Sequence, residues 1–162
     1  LNKEEVNAQT LSLRLTEIVE AQRGAWFILY QPFAFLLYIV AALAEINRTP
    51  FDMPESESEL ASGYNIEYSS MKFALFMIAE YIHLVIVAAL ATTLFLGGWL
   101  GPVLPGPVWF FIKTLLLVFV FIWIRGTYPR MRYDHIMKFG WKFLFPAAIL
   151  NVIVTALVVA LR

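Results

Sequence analysis

The chain has 162 residues, no net charge, no cysteine, 60% hydrophobic side chains and only 15% charged ones. A soluble domain is roughly 45–50% apolar and about 25% charged, so this composition, with a mean hydropathy of +0.72, identifies an integral membrane protein. Disulfides, thiolate zinc sites and cysteine-ligated iron–sulfur clusters are excluded, and a balanced net charge leaves only the distribution of charge to speak of partners.

The chain begins at Leu1 with polar residues and no apolar signal core, which predicts an internal start within a longer polypeptide. Leu11, Leu15, Ile18 and Val19, interleaved with Arg14, Glu17, Glu20 and Arg23, predict a modest amphipathic helix. Such a helix could lie on the outer membrane surface, pack against an upstream half of the same polypeptide, or serve as a polar connector.

Four apolar segments follow, at about Trp26–Ile46, Phe73–Leu96, Val108–Ile124 and Phe143–Leu161. Each approaches the ~20 residues that cross the hydrocarbon core. Backbone polar groups must pair internally in lipid, so each is predicted to be a transmembrane helix. Pro32 and Pro146 fall near the starts of the first and last, where a missing amide costs least or a kink stays local. The expected fold is an all-α polytopic membrane bundle: four transmembrane helices in a single membrane domain, residues 1–162, plus the amphipathic N-terminal helix and a short helix in the first loop.

The loops set the expected topology. Arg125, Arg130, Arg132, Lys138 and Lys142 lie between the third and fourth segments against Asp134 alone, whereas residues 81–112 contain no Asp, Glu, Lys or Arg. The positive-inside rule places the basic loop, 125–142, in the cytoplasm and the Gly/Pro turn Gly97–Pro107 outside, with Trp99 and Trp109 as interfacial anchors. The loop at 47–72 shares the cytoplasmic side by parity. In it, Asp52, Pro54 and Glu55 read as a helix start and Gly63 as its stop, with Glu55 and Glu59 on one face and Glu57 elsewhere. The basic loop is suited to lipid head groups, to an acidic protein surface, or simply to fixing topology.

Seven of the twelve acidic residues crowd between Glu45 and Glu80, namely Glu45, Asp52, Glu55, Glu57, Glu59, Glu67 and Glu80, offset only by Arg48 and Lys72. Acids at a helix start are favoured by the macrodipole in any protein, so Glu55, Glu57 and Glu59 are individually ordinary. Glu80 is not, because an ionisable group well inside an apolar segment costs roughly 3 kcal/mol. It reads as a proton carrier, as the partner of a cation on a neighbouring helix, or as a protonated core group. Glu45 closes the first segment, and Arg48 one turn on offers an i, i+3 ion pair; the functional alternative is cytoplasmic access to a buried polar path. His83, one turn past Glu80, could relay to it but reads as a hydrogen-bonded core residue. Neither His83 nor His135 has ligand spacing, and no phosphate loop or nucleophile elbow is present, so no metal site or soluble-enzyme centre is expected.

The run Arg-Thr-Pro-Phe-Asp-Met-Pro-Glu-Ser-Glu-Ser-Glu-Leu from Arg48 to Leu60 is specific, as are Gly63-Tyr64 and the stretch Glu67 to Phe73. With Leu15 to Gln22, Leu94 to Trp99 and Pro129 to Asp134, these closely resemble the C-terminal half of the H-type membrane subunit of respiratory complex I, NADH:quinone oxidoreductase, the bacterial counterpart of mitochondrial subunit 1. The resemblance implies a non-catalytic-centre subunit of a proton-pumping enzyme in the bacterial plasma membrane. Quinone would be its substrate, with no metal or covalently held cofactor and no nucleic acid. Its partners would be the peripheral-arm quinone-site and iron–sulfur subunits, adjacent small membrane subunits and the bilayer. By the same resemblance Glu45, Glu67 and Glu80 match a buried proton path, and Arg48, Asp52, Glu55, Glu57 and Glu59 match the loop lining the quinone chamber. Two other readings share parts of the pattern: the homologous membrane subunit of an energy-converting hydrogenase, and a cation channel or transporter with the glutamates as a selectivity site.

Overall fold

A computed structural model of the protein describes residues 14–51, 71–101, 105–129 and 131–161. The helix expected from Asp52 to about Ser62 lies outside them, as does Leu11 of the amphipathic segment. The described residues are all-helical. In chain order they form α1 (Leu15–Ala21), α2 (Phe27–Tyr30), α3 (Pro32–Glu45), α4 (Met71–Phe95), α5 (Gly106–Thr127), α6 (Tyr133–Phe139), a π-helical turn (Gly140–Leu144) and α7 (Phe145–Leu161).

Three stretches are long and apolar enough to cross a membrane: α4 with 25 residues, α5 with 22, and the continuous α6–π–α7 helix with 29. At ~1.5 Å per residue each exceeds the ~30 Å hydrocarbon core. They expose large apolar side chains around much of their circumference, among them Leu75, Ile78, Leu115, Phe119 and Val159. Helices that are apolar all round require lipid or other apolar partners, and the protein is a membrane protein.

The first apolar segment is not the single helix its composition suggests. Gln31 leaves the helical region at φ −135°, ψ 61° and divides α2 from α3. The residue before a proline is pushed out of the α region, and Pro32 has no N–H to continue the ladder. The 14 residues of α3 fall short of a full span.

The basic segment is also more ordered than a loop. α5 continues to Thr127 and helix resumes at Tyr133, so the inter-helix connection is 128–132 and both Lys138 and Lys142 are helical. Composition ends an apolar run at the first charges, but backbone hydrogen bonding has no reason to stop there. Asp134 in the first turn of α6 suits the macrodipole. The widened turn at Gly140–Leu144, where Phe145 N–H reaches the Gly140 carbonyl, ends two residues before Pro146. Pro146 has no amide for the Lys142 carbonyl and its ring crowds that oxygen, and a π turn relieves the crowding.

The chain divides into two compact units, residues 1–35 with 81–122 and residues 36–80 with 123–162. In the first, small side chains on one face of α4 (Ala88, Ala91 and Thr92) are buried with Lys113, Thr114, Leu117 and Phe121 of α5, a close-approach pattern common between membrane helices. The Thr92 and Thr114 hydroxyls meet at 3.4 Å. α1 is held to the end of α4: Val19 and Gln22 are fully buried, and Gln22 Nε2 donates to the carbonyls of Thr93 and Leu94. In the second unit Ala42, Leu43 and Ile46 are buried together with Arg48.

Candidate functional site

The candidate site lies in the second unit and begins with how α3 ends. Asn47 adopts φ 52°, its N–H bonds to the Ala44 carbonyl, and the Arg48 N–H reaches back to the Leu43 carbonyl. This pair of bonds is a Schellman closure, with asparagine in the left-handed position usually held by glycine. It reverses the chain and turns Arg48 inward. The next turn is closed by the Phe51 N–H on the Arg48 carbonyl, and Pro50 accepts from the Met131 N–H. The Thr49 hydroxyl donates to the Arg125 carbonyl at 3.1 Å. Residues 48–51 are thereby tied to the end of α5 and the approach to α6.

Held this way, Arg48 is 6% exposed, and its Nη2 donates to Glu80 Oε2 at 2.8 Å. The spacing of the chain points Arg48 toward Glu45; the structure adds Glu80, from the first part of α4. Glu80 thus has a cation beside it, supplied by the turn after α3 and not by a neighbouring helix. The bond is short and charge-assisted. Glu80 keeps 28% of its side chain uncovered by this chain, whereas Arg48 keeps 7%.

The other predicted positions fall as follows. Glu45 is the last residue of α3 and is exposed. Asp52, Glu55, Glu57, Glu59 and Glu67 lie outside the described residues. His83 is half-buried on α4 and His135 exposed on α6. Among the described residues no group of three or more His, Asp or Glu side chains is placed to hold a metal ion.

A second polar cluster, in the first unit, carries no sequence signature beyond a lysine in an apolar run. Lys113 is 6% exposed. Its Nζ donates to the carbonyls of Leu96, Leu100 and Gly98 at 2.6, 2.7 and 3.3 Å. It lies 4.6 Å from the Trp26 ring and 5.7 Å from the Trp109 ring. Trp109, expected as an interfacial anchor, is turned onto this ammonium, while Trp99 stays exposed. Carbonyl acceptors are supplied by every residue, so nothing in the side-chain sequence announces such a nest.

A family model described as NADH dehydrogenase matches residues 5–156. Among curated relatives, the NADH-quinone oxidoreductase H-type subunit numbered 2 in Geobacter sulfurreducens is 56% identical over 144 residues, covering 89% of this chain and 44% of the relative. The NADH-quinone oxidoreductase H-type subunit of Geobacillus sp. is 54% identical over 154 residues, covering 92% and 46%. The corresponding protein numbered 2 in Rhodopseudomonas palustris is 50% identical over 151 residues, covering 93% and 47%. The chain thus spans about half the length of the curated relatives it matches.

Proposed function

The chain belongs to the NADH dehydrogenase family, and from that premise we propose that it is the C-terminal half of the membrane subunit through which quinone reduction is coupled to proton translocation. The observation that carries this reading is the Arg48–Glu80 pair: a partly accessible carboxylate on a membrane-spanning helix, held by a guanidinium that starts the acidic loop 47–72. In this reading electron transfer belongs to other subunits. The task of this chain is the handling of charge.

Reduction of a quinone to quinol consumes two electrons and two protons, and negative charge develops where the electrons arrive. With Arg48, Asp52, Glu55, Glu57 and Glu59 lining the chamber, that charge draws on the same arginine that Glu80 holds. A guanidinium beside a carboxylate favours its ionised form, and its withdrawal favours uptake of a proton. Glu80 would take up a proton as Arg48 is pulled toward the chamber and release it as the pair re-forms, with Glu45 and Glu67 as neighbouring stations.

The membrane is the bacterial plasma membrane in this reading, with residues 47–72 and 125–142 on the cytoplasmic side. The partners are the quinone-site and iron–sulfur subunits of the peripheral arm and the small membrane subunits beside it. The deciding experiment is Glu80→Gln in the assembled enzyme. The amide keeps the size and an acceptor for Arg48, so assembly should persist while coupled turnover falls. An enzyme carrying Glu80→Gln that pumps at the normal ratio would remove Glu80 from the path.

A further inference from the structure

Lys113 is a buried ionisable group that the proposed proton path does not use. Its three donors all face carbonyl oxygens, those of Leu96, Gly98 and Leu100. A neutral amine would turn its lone pair against one of them, whereas an ammonium has three donors and no acceptor. The nest therefore fits the cation. The indoles of Trp26 and Trp109 close around it, and aromatic faces favour a cation again. Leu96 lies just past the last residue of α4, where the helix dipole is negative. Among the described residues the ion pairs join Arg14, Arg23, Arg48 and Arg132 to carboxylates, and Lys113 to none. Among the described residues, the charge on such an ammonium is met by main-chain dipoles and indole faces. Residues 81–112, which lead up to it, contain no Asp, Glu, Lys or Arg. The remaining titratable side chain of α4 in this unit that protonates near neutrality, His83, sits thirteen positions before Leu96, about 20 Å along the helix.

We propose that Lys113 is an electrostatic barrier, a fixed cation that closes the outer end of the α4–α5 hairpin to protons and other cations. The proposal rests on the reading above, in which the chain is part of a proton-translocating membrane arm with residues 97–107 on the outer side. A coupling enzyme must pass protons inward along its carboxylates without offering them a route straight through. A fixed charge in a region that water cannot screen repels a second cation far more strongly than it would in solution, the device by which some pores exclude protons.

The test uses the complete enzyme in sealed liposomes with a pH-sensitive dye inside. An imposed pH difference is followed with no substrate present, and NADH:quinone turnover and proton pumping are measured separately. Lys113→Gln keeps donors for the carbonyls but removes the charge. It should speed decay of the imposed pH difference roughly tenfold, the order expected for loss of one poorly screened charge, and leave uncoupled turnover near wild type. Lys113→Arg should hold the gradient. Equal decay in the wild-type and Lys113→Gln enzymes overturns the proposal, as does a Lys113→Arg enzyme that leaks like the Gln variant. If Lys113→Gln and the similarly sized Lys113→Met both fail to assemble while Lys113→Arg succeeds, the ammonium serves folding and the barrier role is overturned. A wild-type enzyme that turns over without pumping would instead remove the reading on which the proposal rests.

Discussion

Arg48 and Glu80 are joined by a charge-assisted hydrogen bond of 2.8 Å across 32 positions of sequence. The arginine is buried and its partner partly accessible, so the two ends of the pair respond differently to substitution. Removing one partner of a fully buried pair costs about 3–5 kcal/mol; the incomplete burial of Glu80 reduces this to an expected ~1–2 kcal/mol. Arg48→Met should lower the thermal stability of the complex by that amount and depress quinone-dependent turnover. The double variant Arg48→Met/Glu80→Gln should be no worse than Arg48→Met alone, since residues in one pair are non-additive. Strict additivity of the two losses would show that the pair is not a functional unit.

At Gly98 the backbone has φ +50°, and an added Cβ would stand 2.9 Å from Val19 Cγ2. Gly98→Ala should therefore displace α1 and destabilise the first unit by about 1–3 kcal/mol, combining backbone strain with overpacking. Gly126→Ala, in open space on α5, should be neutral or slightly stabilising, because alanine is the better helix former. Thermal unfolding of the two variants in one detergent checks the contrast, and equal shifts would refute it.

Gln22 holds α1 to the end of α4 through the carbonyls of Thr93 and Leu94 at 3.0 and 3.1 Å. Gln22→Leu keeps the volume but removes the donor, stranding buried acceptors at a cost of ~1–3 kcal/mol. Limited proteolysis near Arg14 and Arg23 should then proceed faster than in wild type, and an unchanged cleavage rate would show that α1 is held by Val19 alone.

Ala91 and Thr92 are fully buried on the face of α4 that carries Ala88. Ala91→Leu should cost more than ~2 kcal/mol by overpacking and reduce the amount of assembled complex in membranes. Leu75→Ala, at an exposed position on the same helix, should have little effect on this chain's own packing. A Leu75→Ala loss as large as that at Ala91 would reveal a partner on that face.

The long apolar runs that became α4, α5 and α7 were legible because crossing lipid needs a length and a composition, and both are written in side chains. Two boundaries were not. The span expected at Trp26–Ile46 was interrupted because Pro32 acts on the residue before it, an effect larger than the local kink its position suggested. The basic stretch read as a loop because charge marks the edge of the hydrocarbon, not the end of a helix. Glu80 stood out by its depth, but its partner could not be read from spacing, because Arg48 reaches it only after the Asn47 reversal. Lys113 is a lone charge in an apolar run, and its nest, built from main-chain oxygens, has no letter in the sequence.

The widened turn at Gly140–Leu144 amounts to one surplus residue of backbone within an otherwise regular 29-residue rod. Because each residue of an α-helix advances ~100°, that surplus acts as an angular offset, setting the heading of Asp134 and Lys138 against the apolar length that follows. Excising a single residue there would leave composition, charge and hydropathy almost untouched, yet would swing α6 about a quarter of a revolution, which makes that turn the compass bearing of the basic surface.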